Sequence, residues 1–321
     1  MRTPIRVAIA AIALAIAIPA AYAQTYPTKP IRFIVPFAPG GPSDIIARLV
    51  GQKLPDVLGQ PVIVENRTGA GGNIGAVVAA KSAPDGYTVL VTSSAIVVNV
   101  TLFPNAGYDA ERDFIPVALV ATQPNMIYVN PSVPAKTLDE LLALAKTSKL
   151  AYASPGSGTT PHLTGEMLFR VLAKVDMPPV HFRGAGPQVV AVVSGEPPVG
   201  CGAISGPIAQ IKAGKLRPIA VSSSQRLASL PDVPTLAEVG FPSLQDYTWI
   251  GVFLPTGTPP DIVQRLNDAI NQVMQGAEFR ERLDAVAFEP VGGTQAQFAE
   301  YTKAEIVKWA KVVRETGAKA E

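Results

Sequence analysis

Apolar stretches rich in β-branched residues alternate with helix-like patterns along nearly the whole chain. Strands are predicted near 31–35, 61–65, 88–92, 116–122, 126–130, 150–153, 178–182, 199–203, 216–222 and 248–254. Helices are predicted at 43–54, 73–82, 137–147, 160–174, 185–194, 206–213, from about 259, and at 294–316. The Pro-punctuated stretch 222–243 is predicted as a surface crossing rather than a packed element. This alternation is typical of α/β layers whose strands run mostly parallel.

The order of these elements predicts two α/β lobes. The chain crosses from the first to the second near 122–125 and returns near 222–228. The predicted bounds are 24–123 and 225–321 for lobe I and 124–224 for lobe II. Two crossings form a hinge with a cleft between the lobes, and ligands of open α/β sheets bind outside the carboxyl ends of the strands.

Residues 1–23 are predicted to be a cleaved signal peptide. Arg2 and Arg6 precede an apolar run of twelve residues at 7–18, shorter than the roughly 20 residues that a membrane-spanning helix needs. An A-x-A motif ends at Ala23, so the mature chain is expected to begin at Gln24. An uncleaved membrane anchor is the alternative.

Charge and residue counts exclude several classes of function. The formal charge of +2 falls to zero when the two arginines of the signal peptide leave, and the chain has no Lys/Arg run, so nucleic acid is not an expected partner. Two histidines and one cysteine supply neither a disulfide nor a metal cluster with ligand spacing. The glycines of 66–76 do not follow the G-x-G-x-x-G spacing of a dinucleotide loop, and no cofactor is expected.

A Pro-Gly device follows the first predicted strand, in the sequence FAPGGPSD at 37–44. Gly40 and Gly41 allow a sharp turn and a close backbone approach to a ligand. Ser43 is a good helix N-cap and Asp44 would lie in the first turn. Free N–H groups at such a helix start can bind an anion, although an ordinary capped loop is the alternative.

The device recurs at 153–161, where ASPGSGTTP again lies between a strand and a helix. Thr160 as N-cap would place Pro161 at the first helical position, with Gly158 and Thr159 in a small polar loop before it. Because two facing devices could hold one anion from both lobes, the recurrence favours a binding site in the cleft.

Other polar residues at predicted strand ends give weaker signals. Ser93 and Ser94 end the strand near 88–92 and are expected near the cleft. Arg183 could face a ligand or pair with a surface carboxylate. Ser157 and His162 lie close in sequence, but no G-x-S-x-G elbow surrounds the serine, so a hydrolase is only a remote alternative.

Ordered segments along the whole mature chain resemble the Bug family, the periplasmic solute receptors of tripartite tricarboxylate transporters. The matching segments are YPTKPIRFIVPFAPGGPSDIIAR, VENRTGAGGNIGA, SAPDGYTVLVTSS, YASPGSGTTPHLTGEML, HFRGAGPQ, GKLRPIAVSSSQRLASLPDVPTLAEVG and FLPTGTPPDIVQRLN. The resemblance implies an α/β type II periplasmic-binding-protein fold that closes on a small carboxylate. It further implies a periplasmic location and delivery to membrane permease subunits, without catalysis. A monomer is expected.

The resemblance implies that two loops grip the ligand carboxylate, mainly through backbone N–H groups and waters. They are named here the first lip, residues 37–44, and the second lip, residues 154–162. Ser93, Ser94 and Gly186 match further cleft positions, and Phe182 and the 203–205 segment are expected to meet the rest of the ligand. The predicted binding residues are Phe37, Gly40, Gly41, Ser43, Asp44, Ser93, Ser94, Ser154, Gly158, Thr159, Thr160, His162, Phe182, Gly186 and Ser205.

One departure from the family pattern bears on the ligand. The stretch 195–200, GEPPVG, lacks the aspartate that relatives commonly have there. Apart from Asp44, which is expected to serve its own lip, no acceptor for a ligand ammonium is evident. A dicarboxylate or an aromatic acid is therefore favoured over an amino acid. A subunit that reports ligand to a signalling partner is the main alternative to a transport receptor.

Overall fold

The computed structural model describes residues 26–320, so the predicted signal peptide lies outside the described residues. The strands are β1 (Ile31–Val35), β2 (Val62–Asn66), β3 (Thr88–Ser93), β4 (Phe114–Val129), β5 (Tyr152–Ser154), β6 (Pro179–His181), β7 (Val199–Ala203), β8 (Arg217–Val221), β9 (Tyr247–Pro255) and β10 (Glu289–Pro290). The helices are α1 (Pro42–Leu58), α2 (Asn73–Ala80), α3 (Ala95–Leu102), α4 (Leu138–Thr147), α5 (Thr160–Gly165), α6 (Ala185–Ser194), α7 (Ile208–Lys212), α8 (Pro260–Met274), α9 (Ala277–Ala285) and α10 (Gln295–Thr316). A π-helical segment, Glu166–Leu172, continues α5.

The strands form one hydrogen-bonded path in the order β2-β1-β3-β9-β4-β7-β5-β6. In the first half, β1 pairs in parallel with β2 and β3, and the antiparallel β9 lies between β3 and β4. In the second half, β5 pairs in parallel with β6 and β7, while β4 pairs antiparallel with β7 and β8. The two halves are the sheets of the two lobes, and the α/β two-lobe expectation is confirmed.

Strand β4 runs through both lobes. Two strands with a polar break at TQPN were predicted for this stretch, and that prediction is wrong. Pro124 still pairs with Tyr247 of β9, and the next residue, Asn125, already pairs with Ala203 of β7. The polar residues therefore mark a change of partner strand, because their backbone groups stay hydrogen-bonded while the chain passes between lobes.

Each lobe has its own apolar core. In lobe I, β1, β3, β4 and β9 pack against α1 and α8 on one face and against α3 and α10 on the other. In lobe II, the sheet packs against α4 and the π-helical segment on one side and α6 on the other. Leu236 and Leu244 also belong to the lobe II core, so part of the 222–243 crossing is packed. The predicted lobe bounds stay a prediction, and packing on lobe II continues beyond residue 224.

Helix α3 shows why some elements escaped prediction. Its sequence, AIVVNVTL, is apolar on nearly every side and buried at most positions, so it has no 3.6-residue polar pattern. Helix α9 and the short strand β10 were also not predicted. Within residues 26–320, no helix is both long and apolar enough to cross a membrane.

Candidate functional site

The first lip connects β1 to α1. Gly41, in an extended conformation, is the N-cap, Pro42 is the first helical residue, and Ser43 follows inside the first turn. The prediction of Ser43 as the N-cap is therefore wrong. The reason is that Pro at the first helical position fixes the helix start two residues earlier. As residues of the first turn, Ser43 and Asp44 have backbone N–H groups without intrahelical acceptors.

Asp44 serves its own lip rather than the cleft. Its carboxylate accepts hydrogen bonds from Gly40 N at 3.0 Å, Arg48 Nε at 3.0 Å and Asn66 Nδ2 at 2.9 Å. Burial raises the pKa of this carboxyl, but the hydrogen bonds from Arg48, Gly40 and Asn66 outweigh burial and hold the pKa below its usual value. Gly40 itself has φ of 80°, a conformation that favours glycine.

The second lip connects β5 to α5. Thr159 is the N-cap: its hydroxyl accepts from His162 N at 3.4 Å and donates to Gly156 O at 2.8 Å. Thr160, predicted as the N-cap, is the first helical residue, and Pro161 is the second. The helix begins one residue earlier than predicted because the Thr159 hydroxyl reaches the amide of His162, the third helical residue.

The His162 ring holds the backbone of the second lip in place through a hydrogen bond with Gly158. Its Nδ1 accepts the Gly158 N–H at 3.2 Å, so the ring proton of the neutral imidazole lies on Nε2. Burial, the neighbouring His181 ring and Arg170 lower the pKa of His162 to about 3. To act as a base towards Ser157, His162 would need an acceptor nitrogen that is free. In this tautomer its acceptor nitrogen, Nδ1, already accepts the Gly158 N–H.

Each lip contacts the opposite lobe across the cleft. Ala38 N, in the first lip, donates to Arg183 O in lobe II at 3.2 Å, and Gly186 lies against Pro39 O. Gly158 has φ of 78°, and a Cβ there would collide with the Asn99 side chain of lobe I. The structure is therefore that of closed lobes.

A small inner cavity lies between the lips. The space open to the centres of water-sized spheres is about 30 Å³. Its walls are mostly apolar, with a few hydroxyl groups. Its lining includes Phe37, Gly41, Ser43, Ser93, Thr159, Thr160, Ala185, Ala203 and Thr248. The Ser43 side chain is 1% exposed, and its Oγ has no hydrogen-bond partner within residues 26–320.

A larger outer cavity of about 330 Å³ adjoins the inner one at Phe37 and Pro155. It lies between the 68–74 loop of lobe I and residues 181–183 of lobe II. Phe182 and the exposed Arg183 line this outer cavity rather than the inner one. Arg183 was expected on the surface, and the structure places it at the mouth of the cleft.

The remaining predicted site residues lie behind the cavity walls. Ser94 is buried and donates to Thr160 Oγ1 at 3.3 Å, and Ser154 Oγ contacts Gly156 N and His181 Nδ1. Ser205 donates its N–H to Gln123 Oε1 at 2.8 Å, while its buried Oγ has no partner in the described part of the chain. These residues shape the site without lining the inner cavity.

Sequence reasoning missed Thr248, Gln123, Asn125 and Asp246. Thr248 is the second residue of β9 and lines the inner cavity, and it stands directly opposite Gln123 of β4. No local motif marks these positions, because their place at the cleft depends on strand pairs more than 100 residues apart in sequence. Among residues 26–320, no three His, Cys, Asp or Glu side chains are grouped to hold a metal ion.

Two closing α/β lobes with a helix start from each side of the cleft define a periplasmic-type solute-binding protein. The family model of the "Tripartite tricarboxylate transporter family receptor" matches residues 46–318. The chain belongs to this family, which confirms the Bug-type resemblance.

Known relatives agree with this assignment. The protein BugT of Bordetella pertussis is 40% identical over 302 residues, covering 92% of each chain. The structure of the periplasmic binding protein BugD matches with a TM-score of 0.89 at 29% identity, covering 92% of this chain and 100% of that one.

Two further structures of relatives carry bound acids. An R. palustris protein with adipate has a TM-score of 0.88 and 31% identity, covering 92% of this chain and 99% of that one. MatC from Rhodopseudomonas palustris, with bound malate, has a TM-score of 0.85 and 33% identity, covering 90% of this chain and 100% of that one.

Proposed function

We propose that the protein captures a small organic carboxylate between its two lips and delivers it to the permease of a tripartite tricarboxylate transporter. The observation that carries this proposal is the inner cavity. It is lined by Ser43, whose buried hydroxyl has no partner among residues 26–320, and by helix starts from both lobes. Orphan N–H groups and the positive end of a helix dipole stabilise a carboxylate without a cationic side chain. The adipate and malate bound by relatives support a carboxylate ligand.

A dicarboxylate or an aromatic acid suits this cleft better than an amino acid. A buried ammonium group needs a carboxylate partner, since an unpaired buried charge costs several kcal/mol. Asp44 is already held by Arg48, Gly40 and Asn66. No Asp or Glu of the described chain lines either the inner or the outer cavity.

Ligand entry requires the lobes to separate. In the closed form each lip contacts the opposite lobe, which narrows the route to the inner cavity. The acid therefore enters an open form, and closure buries its carboxylate against the lips, where every oxygen needs a donor. The mature chain, beginning at Gln24 after signal cleavage, performs this cycle as a periplasmic monomer.

A thermal-shift screen of refolded mature protein tests the proposal. Refolding removes co-purified ligand, and the panel holds dicarboxylates, tricarboxylates, aromatic acids and amino acids. An acid present at 100 times its dissociation constant stabilises the folded protein by about 2.7 kcal/mol. We expect shifts from one class of non-amino acids. Shifts confined to amino acids, or none on protein shown to be folded, would contradict the proposal.

A further inference from the structure

A chain of buried hydrogen bonds joins the second lip to both lobe crossings. Thr160 Oγ1 lies 2.6 Å from Thr248 Oγ1, and Thr248 donates to Asn125 Oδ1 at 2.8 Å. Asn125 Nδ2 donates to Asp246 Oδ1 at 2.7 Å, and Ser94 donates to Thr160 at 3.3 Å. All five side chains are at most 5% exposed. Asn125 lies in β4 and Asp246 next to β9, so the chain ends where the polypeptide passes between lobes.

The two carboxyl oxygens of Asp246 accept hydrogen bonds from Asn125 Nδ2 and Thr164 Oγ1, and these contacts set the direction of every donor in this chain. Burial raises the pKa of this carboxyl, and the hydrogen bonds from Thr164, Ser222 and Asn125 oppose that rise. Carboxylate oxygens only accept, so the Asn125 NH₂ group must face Asp246 and its carbonyl must face Thr248. Thr248 then donates its single hydroxyl proton to Asn125. Thr160 donates its hydroxyl proton to Thr248, and Ser94 donates its own to Thr160.

Thr164 holds the same orientation. Its Oγ1 accepts from Asn125 Nδ2 at 3.0 Å, and its oxygen lies 2.7 Å from Asp246 Oδ2 and 2.9 Å from Thr160 O. Both of these oxygens are acceptors, so the Thr164 proton goes to one of them and its lone pairs face Asn125. The amide of Asn125 is thereby fixed from two sides.

This direction gives the inner cavity one accepting wall. Thr160 and Thr248 both line the cavity, and with their protons committed each offers the ligand only a lone pair. The opposite wall donates: Ser43 Oγ is unpartnered among residues 26–320, and the first-turn amides of α1 are orphaned. A ligand that satisfies both walls carries a carboxylate beside a hydrogen-bond donor.

The inner cavity brings these two groups close together. Ser43, Thr160 and Thr248 all line it, and Thr160 is the first residue of α5, so its acceptor oxygen lies at a helix start that receives the carboxylate. The donor therefore belongs on the carbon atom next to the carboxylate. The donor is a hydroxyl rather than an ammonium, because neither cavity is lined by a carboxylate of the described chain. We propose that this cleft selects 2-hydroxy carboxylates, with Thr248 as the specificity-determining acceptor and Asp246 as the positioning residue that orients it. This inference rests on the proposed carboxylate-binding function.

Calorimetric titration with paired acids tests it. The pairs differ by one hydroxyl: malate and succinate, 2-hydroxyglutarate and glutarate, lactate and propionate. For wild type we expect at least one hydroxy acid to bind about tenfold more tightly than its partner, the change expected from one net hydrogen bond. In Thr248→Val, which keeps the shape and removes the acceptor, the ratio should fall to near one. Thr248→Ser should restore the preference.

The ratio within a pair separates specificity from structural damage. A purely structural defect weakens both acids equally and leaves their ratio unchanged. Asp246→Asn, whose amide can face Asn125 either way, should shrink the ratio. Thr302→Val, which removes a buried threonine hydroxyl of α10 bonded to Phe298 O, should leave it unchanged.

The outcomes distinguish the two proposals. Equal binding of both members of every pair by wild type would overturn the hydroxyl inference and leave the carboxylate receptor intact. An unchanged ratio in Thr248→Val would overturn the role of Thr248. Failure of every acid, including those of the wider screen, on folded wild-type protein would overturn the proposed function and this inference with it.

Discussion

Ser43 and Thr159 show how two similar hydroxyl groups in the lips take different roles. Ser43 lines the inner cavity, and its buried Oγ has no partner in the described structure, so its proton is available to a ligand oxygen. The Thr159 hydroxyl already caps α5 and bonds Gly156 O. Both residues line the cavity, but of the two only Ser43 has a hydroxyl proton without an acceptor in the described chain.

Substitution separates these roles. Ser43→Ala should lower the affinity for the bound acid about tenfold with little change in stability, because one net hydrogen bond is lost only in the complex. Thr159→Ala should lower stability by about 1 kcal/mol through loss of the cap, and affinity only secondarily. Calorimetric titration and denaturant unfolding measure the two quantities.

Thr294→Ala is the control, because Thr294 caps α10 in the same way and is not among the cavity-lining residues. It should reproduce the stability loss and keep wild-type affinity. Wild-type affinity in Ser43→Ala would contradict the role given to the first lip.

The low pKa of His162 predicts that the folded protein loses stability in acid. Its pKa is about 3 in the folded state against 6.5 for the unperturbed group, so between these values the unfolded state binds more protons. The stability that neutral His162 supports is complete above about pH 6.5 and is lost as pH falls towards 3, by up to about 1.4 kcal/mol per pH unit. His162→Asn, which keeps an acceptor for Gly158, should flatten the curve of unfolding free energy against pH. Parallel curves for the two proteins would contradict the assignment.

Residue roles were predictable only where a local pattern encodes them. The two Pro-Gly lips stand out in the sequence because turn and cap chemistry is local. The helix starts were misplaced by one or two residues, since Pro42 and Thr159 compete with Ser43 and Thr160 for the boundary. Thr248 and Asp246 could not be found, because their partners lie on other strands and helices.

At the scale of elements, α3 of lobe I packs tightly against the second lip of lobe II, and we expect this contact to limit how closely the lobes approach. Gly158 has a positive φ and no room for a Cβ beside Asn99 of the opposite lobe. Asn99 is itself anchored through Nδ2 to Gly71 O at 2.9 Å and to Asn73 Oδ1 at 2.8 Å. The side chain therefore cannot easily move away from an added methyl group.

Gly158→Ala should hold the lobes apart. The expected result is a loss of ligand affinity of more than tenfold, because binding must then displace Asn99 before the lips meet. Gly59→Ala is the matched control: Gly59 also has a positive φ of 73°, but no atom lies within 4 Å of its added Cβ. Gly59→Ala therefore strains the backbone as Gly158→Ala does, but its added Cβ collides with no neighbouring atom. Equal affinities for the two variants would show that the second lip does not need this contact.

Element type was predictable where polarity alternates and not where it is uniform. The helix predicted at 294–316 is present as α10, and a capping box of Thr294 and Gln297 opens it. Helix α3 was missed because its uniform apolarity carries no period. The continuity of β4 was also missed, since a change of partner strand leaves no mark in a single sequence.

At the scale of the molecule, the lobes also meet far from the ligand. Arg170, on the π-helical segment of lobe II, donates to Thr316 O at the end of α10 in lobe I and pairs with Glu166. Because this contact joins residues of the two lobes, we expect it to stabilise the closed form with or without ligand. Its free energy enters every binding measurement through the open–closed equilibrium.

Arg170→Ala should shift the unliganded protein towards the open form. The radius of gyration from small-angle scattering should rise without ligand and return to the wild-type value at saturation, and ligand affinity should fall by a few fold. Arg226→Ala, which removes an exposed lobe II ion pair with Glu238, is the control and should change neither quantity. An unchanged radius and affinity in Arg170→Ala would contradict the role of this contact.

The central claim is that the two lips bind one carboxylate. A crystal structure of the refolded protein with the acid that gives the largest thermal shift tests it most directly. The account predicts one carboxylate in the inner cavity, within hydrogen-bond distance of the Ser43 hydroxyl and amide, with the second lip closed over it. An acid bound only in the outer cavity, with its carboxylate on Arg183 and no contact to Ser43, would contradict the account.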